Sequence, residues 1–233
     1  MSQKLSVTIN NLQELYPLTT NQASVFHNFT KKDVIVLSGC AGTGKTLCAL
    51  YKALEEVLDR RGKRQKIIIV RSNVSVRDPG ALPGDLDEKN AVYELPYEHL
   101  CSFLLGKNDS YSRLKEQGIV SFMSTSFLRG ITFNNSIVII DEFENCNFQE
   151  IDTVITRLGN NSKLIMCGDI AQTDLLKKHD PSGWWRFMTI LEGMNNVLHV
   201  NFTTDDIVRS GLVKDYLIAK EKIENGNTEK TCS

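Results

Sequence analysis

The sequence lacks any long uncharged hydrophobic stretch. No apolar run among its 233 residues approaches the roughly 18 residues that a membrane-spanning helix requires. The first twenty residues contain Lys4, but they have no basic cluster followed by an apolar stretch, which is the pattern of a secretory signal. These two absences predict a cytoplasmic protein with no membrane partner.

Cysteine and histidine pairs at the spacing of zinc ligands are also missing. The six cysteines include no CxxC pair, and several lie in apolar segments, where a free thiol behaves as a small hydrophobe. The four histidines are scattered, without partners at the spacing of zinc ligands. We therefore expect reduced cysteines and no structural zinc.

Neither sign of charge is in excess. The chain has 27 basic and 28 acidic residues, which give a net charge of −1 at pH 7. This balance argues against a surface coated with basic side chains for nucleic acid. A local groove, or a pore formed by several subunits, can still be basic in a neutral chain, so the charge alone does not identify the partner.

Short β-branched runs alternate with helical patterns along the chain. Apolar residues at helical spacing occupy 47–58 and 148–158, and further helical patterns cover 183–193 and 212–223. This alternation predicts an α/β fold with helices on both faces of a mostly parallel sheet. The length favours one domain over 1–224, followed by a flexible polar tail over 225–233. The predicted strands are 34–37, 67–70, 119–122, 137–140, 164–167 and 197–202.

A phosphate-binding motif follows the first predicted strand directly. It matches GxxxxGK[ST] at a strand-to-helix junction, where its glycines let backbone N–H groups converge on phosphate oxygens. We therefore predict a P-loop NTPase that binds ATP. Lys45 is expected to reach the β and γ phosphates, and Thr46 to ligate Mg²⁺. The eight residues of the motif are Gly39, Cys40, Ala41, Gly42, Thr43, Gly44, Lys45 and Thr46.

Acidic residues follow the fourth predicted strand, and a glutamine follows the fifth. Asp141 is expected to supply the second contact to Mg²⁺, and Glu142 to orient or deprotonate the attacking water. Without the P-loop, such a pair equally describes a solvated strand end. Asp169 and Gln172 should lie at the same edge of a parallel sheet. Gln172 is predicted to sense the γ-phosphate or hold the water; the alternative is a loop glutamine in solvent.

Taken together, these motifs resemble the PhoH family of P-loop ATPases, which is similar to the ATPase core of superfamily 1 helicases. The resemblance extends over most of the chain and implies a RecA-like sheet. The sequence departs from the family pattern at Ser72, because the family usually has proline after the residue equivalent to Arg71. It also departs from the pattern at Phe143 and Glu144. The matching segments are 39–46, 82–86 with Glu88 and Lys89, 128–130, 140–142, 156–159, 168–172 and 206–209.

The resemblance also implies roles for residues outside the phosphate motif. Gln22 is expected to contact the adenine edge, for which an amide has suitable chemistry, although an isolated glutamine is usually a surface residue. Arg209 is the preferred arginine finger, with Arg157 and Arg129 as lesser candidates. The alternative for Arg209 is a salt bridge to a neighbouring aspartate. The family implies a homo-oligomeric, hexameric ring in which such an arginine can enter the adjacent subunit's site.

Two segments are candidates for contact with nucleic acid. Trp184, Trp185 and Arg186 offer a stacking surface, although a helix would direct at least one tryptophan into the core. The basic run over 60–66 offers phosphate contacts, but it also fits a solvated turn at a helix C-terminus.

Three functions therefore remain open. The preferred one is an ATPase that couples Mg-ATP hydrolysis to binding or remodelling of single-stranded RNA or DNA. The alternatives are a nucleotide-gated regulatory module with slow hydrolysis and a small-molecule kinase. Glu142 disfavours the kinase because this residue suits the activation of water.

Overall fold

The computed structural model describes residues 6–72, 86–128, 130–169 and 182–229. Six strands form one sheet within these ranges, and all of its neighbouring strands are parallel. Every strand predicted from the sequence is confirmed to within two residues at each end. The strands are β1 (Val34–Gly39), β2 (Lys66–Arg71), β3 (Val120–Ser124), β4 (Ser136–Asp141), β5 (Lys163–Cys167) and β6 (Val197–Phe202).

Seven α-helices lie in the described ranges. The four predicted ones are present as α2, α5, α6 and α7, whereas α1, α3 and α4 were not predicted. Pro96 lies inside α3, although proline normally interrupts a helix. The helices are α1 (Thr20–Asn28), α2 (Lys45–Leu58), α3 (Leu86–Leu105), α4 (Ser110–Glu116), α5 (Phe148–Thr156), α6 (Ser182–Glu192) and α7 (Gly211–Glu229).

Helices cover both faces of the sheet. Ile35 and Leu37 of β1 pack into one hydrophobic cluster with residues of α1 to α4. Val34 and Val36 point to the opposite face and pack into a second cluster with residues of α5 and α6. The alternation follows from the two-residue period of a strand that is buried on both faces. The predicted RecA-like α/β fold is therefore confirmed.

The strand order brings the predicted site residues to one edge. The order is β3-β2-β4-β5-β1-β6, so β5 separates the P-loop strand β1 from the acidic strand β4. Cys167 at the end of β5 is in register with both Leu37 of β1 and Asp141 of β4. Because parallel strands end at the same edge, the P-loop and the acidic pair meet there.

The extent of the domain and its tail stays a prediction. Helix α7 continues through Glu229 and so enters the segment over 225–233 that the sequence analysis assigned to a flexible tail. Among the described helices, none combines the length and the hydropathy that crossing a membrane demands.

Candidate nucleotide site

The P-loop leaves β1 at Gly39 and enters α2 at Lys45. Gly39 has a φ of +108°, and a Cβ built there would lie 1.9 Å from the carbonyl oxygen of Phe202 in β6. Gly44 precedes the helix with a φ of +81°. Since the first N–H groups of a helix have no intrahelical partners, this turn directs free donors towards the site that a phosphate would take.

Lys45 is held inside the loop it belongs to. Its Nζ donates to the carbonyl oxygens of Gly39 at 2.6 Å and Cys40 at 2.7 Å, and only 9% of the residue is exposed. Burial lowers the pKa of Lys45, whereas the nearby Asp169 acts to raise it. The lysine is therefore a largely buried cation that the carbonyl oxygens of its own loop hold in place.

Thr46 and Asp141, the two residues predicted to ligate Mg²⁺, are in direct contact. The hydroxyl of Thr46 donates to Oδ1 of Asp141 at 2.8 Å, and the hydroxyl of Tyr97 donates to Oδ2 at 2.8 Å. Asp141 is buried, and this burial raises the pKa of its carboxyl. A hydroxyl and a carboxylate oxygen are ligands that Mg²⁺ accepts, so this donor set fits that ion.

Tyr97 was missed from the sequence. It lies in α3, 44 residues before Asp141, and is almost wholly buried against the sheet. No local pattern indicates its contact, which depends on how α3 packs over the strands.

Glu142 occupies an unusual backbone position at the end of β4. Its φ of +51° lies in the left-handed region, which a glutamate rarely adopts. Its Oε2 forms an ion pair with the guanidinium of Arg71, the last residue of β2, and Asn145 Nδ2 lies 3.4 Å away. The sequence analysis did not predict this contact between Arg71 and Glu142.

Glu144 also lies at this site, in contact with Asp169. Oε2 of Glu144 accepts the backbone N–H of Asp169 at 3.0 Å, and burial raises the pKa of Glu144 to about 7. Gln172, predicted to hold the water, lies outside the described residues, as does Arg129, so their roles stay predictions.

Gln22 contacts the P-loop from the first turn of α1. Its Nε2 donates to the carbonyl oxygen of Thr43 at 2.9 Å, and its Oε1 accepts the N–H of Leu18 at 2.8 Å. With only 5% of the residue exposed, Gln22 is not a surface glutamine. Each end of the amide keeps capacity for one further hydrogen bond, so adenine contact remains chemically available.

The segment that leads into α7 closes over the same loop. The N–H of Val208 donates to the carbonyl oxygen of Gly42 at 3.1 Å, and a Cβ on Gly42 would lie 3.0 Å from Cγ of Arg209. From α7, Glu221 accepts the thiol of Cys40 at 3.3 Å, and burial raises the pKa of that thiol to about 12. Arg209 therefore lies beside the P-loop of its own chain.

Arg157 lies elsewhere. It follows α5, and its carbonyl oxygen accepts the N–H of Phe133, before the start of β4. Its buried Nε has no hydrogen-bond partner in the described part of the chain. Arg157 is thus at the amino edge of the sheet, away from the phosphate edge of the same chain.

This geometry agrees with the comparison to known proteins. The model of the family described as "PhoH-like protein" matches residues 14–221. The chain belongs to the PhoH family. PhoH-like proteins of Synechocystis and Bacillus subtilis are each 34% identical to it, over 209 and 205 residues. Protein PhoH of Escherichia coli is 34% identical over 206 residues.

The relatives in the PhoH family are longer than this chain. The three alignments cover 89%, 88% and 87% of the chain but 62%, 63% and 57% of the Synechocystis, Bacillus and Escherichia proteins. A crystal structure of Pif1 helicase from Candida albicans matches 81% of the chain and 41% of that structure, with a TM-score of 0.37 and 15% identity. A TM-score this low does not establish a common fold. Membership of the PhoH family agrees with the P-loop geometry of a nucleotide-binding site.

Proposed function

We propose that this chain binds Mg-ATP and hydrolyses its terminal phosphate. The observation that carries the proposal is the contact between Thr46 and Asp141, 2.8 Å long, at the mouth of a P-loop and directly before Glu142. The two oxygens would hold the metal beside the phosphates, while the carboxylate of the next residue, Glu142, would accept a proton from the attacking water.

The other residues of the site would act on the phosphates and the water. Lys45 would exchange the carbonyl oxygens of Gly39 and Cys40 for the β and γ phosphate oxygens, which bind a buried ammonium more strongly. Bound Mg²⁺ would neutralise part of the phosphate charge. Glu142 would accept the proton of the water, and Gln172 would help to hold it.

Gln22 supports a preference for adenine. A cleft of about 630 Å³ opens beside the start of α1 and is lined by residues on either side of Gln22 and by residues that follow β6. A purine in this cleft would be adjacent to the unused hydrogen-bonding capacity of the Gln22 amide. Six of the lining residues are Pro17, Leu18, Thr19, Asn21, Thr203 and Asp206.

Arg209 is proposed to stabilise charge on the phosphates of its own subunit, because it lies against Gly42 of the same P-loop. An arginine supplied by a neighbouring copy would then be a different one, and Arg157 is the candidate.

We further propose that the chain works in the cytoplasm as a homo-oligomeric, hexameric ring. Exposed apolar side chains on α3 and α7 support self-association, since large exposed apolar patches usually mark interaction sites.

The proposed partner is single-stranded RNA or DNA. Two features of the edge formed by β2 and β3 support it: the cationic end of β2 at Arg71, and Phe127, which follows β3 with 51% of the residue exposed. Exposed aromatic rings and cations are the groups that bind single strands without sequence preference. The alternative is a nucleotide-gated regulatory module whose slow turnover does not respond to nucleic acid. It is favoured by the ion pair that occupies Glu142.

The deciding experiment measures phosphate release from Mg-ATP by the full chain, alone and with single-stranded RNA or DNA of equal length. Glu142→Gln serves as the control for hydrolysis. We expect turnover that polynucleotide stimulates and that the substitution abolishes. A rate of phosphate release that neither polynucleotide changes would favour the regulatory module. The absence of phosphate release would refute the proposed ATPase activity.

A further inference from the structure

Arg71 is bound to the residue that should activate water. It ends β2, next to Val70, which is in register with Ile140 of β4, and it therefore lies beside the acidic pair. Its guanidinium forms an ion pair with Glu142 and lies 5.8 Å from the ring centroid of Tyr93. Only 13% of the Arg71 side chain is exposed, against 47% of the Glu142 side chain.

This ion pair is unfavourable for catalysis as it stands. The arginine occupies Oε2 of Glu142, an oxygen that would otherwise accept a proton from water, and it neutralises the charge that makes the carboxylate a base. It also fixes the carboxylate towards β2. Glu142 would therefore be a stronger base if Arg71 paired with another anion.

The ends of β2 and β3 lie side by side at the edge that carries Arg71. Glu150 of α5 accepts the hydroxyls of Ser72 at 2.9 Å and Thr125 at 2.5 Å, which fixes the ends of β2 and β3 side by side. Phe127 follows two residues after Thr125 and exposes half of its surface. A base stacked on this ring would bring its phosphodiester to the edge that carries Arg71.

We propose that Arg71 restrains Glu142 until a phosphodiester of single-stranded nucleic acid binds at the ends of β2 and β3. The guanidinium then forms an ion pair with this phosphodiester in place of Glu142. The inference rests on the proposed function and adds its regulation: Arg71 is a positioning residue that couples strand binding to hydrolysis. Guanidinium pairs with phosphate in the same two-pronged manner as with carboxylate, so the exchange loses little binding energy. Phosphate oxygens are also present in ATP, and the two sources must be separated.

The first test measures kcat and KM for ATP without nucleic acid. Arg71→Ala should raise the basal kcat by roughly tenfold with little change in KM, since it removes a charge-assisted hydrogen bond from the base. It should also abolish stimulation by oligouridylate, whereas Arg71→Lys should keep part of it. The matched control is Arg113→Ala, which removes an exposed ion pair to Asp109 in the α4 region and should behave as the unmodified chain.

A basal kcat of Arg71→Ala equal to or below that of the unmodified chain would overturn the proposal. A lower basal kcat would show that Arg71 pairs with the γ-phosphate of ATP and assists the reaction directly.

The second test needs no hydrolysis and so separates this proposal from the ATPase itself. If Glu142 and the phosphodiester compete for Arg71, then Glu142→Gln must bind oligouridylate more tightly than the unmodified chain, by about three- to tenfold, in the absence of ATP. Fluorescence anisotropy measures this affinity. Arg71→Ala should bind more weakly and lower the salt dependence by about one phosphate contact. Equal or weaker binding by Glu142→Gln overturns the exchange, even if ATP hydrolysis is found.

Discussion

Gln22 joins two segments of the nucleotide site through opposite ends of one amide group. Its Nε2 binds the carbonyl oxygen of Thr43 in the P-loop, and its Oε1 binds the N–H of Leu18 at the cleft. Because both contacts are made by a buried side chain, this residue affects the shape of the loop as well as any contact with a base.

Gln22→Ala is expected to lower the free energy of unfolding by about 1–3 kcal/mol, because it leaves a carbonyl oxygen and an N–H group without partners. It should also reduce the preference for ATP over GTP. Chemical unfolding and KM values for both nucleotides check this. The control is Asn28→Ala, which removes another α1 amide, bonded to the backbone of Ser24. If the ratio of the KM values for ATP and GTP does not change, Gln22 supports the P-loop but does not select the base.

The residues of the site differ in how far the sequence could predict them. The positions of the P-loop, Asp141 and Glu142 at one edge of the sheet were predictable, because each directly follows a recognisable strand. Tyr97 and Arg71 reach the same carboxylates from α3 and β2, and no spacing in the sequence encodes that contact. Their identification requires the packing of α3 and the strand order.

Among the secondary-structure elements, the junction of β1 with β6 fixes the start of the P-loop. Gly39 is in register with Phe202, and the N–H of Cys40 donates to the carbonyl oxygen of that phenylalanine at 3.0 Å. The two strands therefore hold the first residue of the motif by backbone contacts alone.

Gly39→Ala should destabilise the fold by more than about 3 kcal/mol, because backbone strain adds to a clash with a main-chain oxygen. The control is Gly118→Ala at a φ of +67°, where the added Cβ meets no atom within 4 Å. It should cost only about 1 kcal/mol, the strain of a left-handed residue. Urea unfolding of both variants distinguishes them, and similar losses would contradict the role assigned to the β1–β6 junction.

A buried lysine connects β5 to the end of the α1 segment. Nζ of Lys163 donates to the carbonyl oxygens of Phe29, at 2.6 Å, and Lys32, and the residue has no exposed surface. Burial, followed by the nearby Arg64, lowers the pKa of Lys163 to about 8. Between that value and its ordinary pKa near 10.5, the unfolded chain binds the proton that the folded chain has released, so this group adds stability as the pH rises.

Lys163→Met should lower the free energy of unfolding by about 2–4 kcal/mol at pH 7, because two carbonyl oxygens lose their donor. The gap to the unmodified chain should widen by about 1–2 kcal/mol between pH 8 and pH 10. Urea unfolding at each pH measures it. Lys66→Met, at the exposed first residue of β2, is the control, with no such widening expected. A gap that does not depend on pH would contradict the lowered pKa.

Across the whole molecule, the alternation of strand and helix patterns was enough to predict the parallel sheet and its two helical layers. It could not predict α1, a nine-residue helix in which only Gln22 and Val25 are buried, or α3, which contains Pro96. Both helices depend on tertiary contacts that override a weak local pattern.

Self-association is the prediction at this scale. On α7, Leu212, Tyr216 and Ile223 repeat at helical spacing with exposed fractions of 83%, 66% and 66%. Light scattering after gel filtration should give a mass that is a multiple of 26.2 kDa. Leu212→Lys with Tyr216→Lys should shift the protein towards the monomer, whereas Met194→Lys, at an exposed position outside α3 and α7, should not. A monomer at every concentration would contradict the ring.

The central claim is that the P-loop, Asp141 and Glu142 form one ATP-hydrolysing site. The most direct test combines equilibrium binding of a fluorescent ATP analogue with phosphate release, for the unmodified chain, Lys45→Ala and Glu142→Gln. We predict that Lys45→Ala does not bind the analogue. Glu142→Gln should bind the analogue normally but release phosphate at least about a hundredfold more slowly than the unmodified chain. Phosphate release by Glu142→Gln at the rate of the unmodified chain would contradict the account.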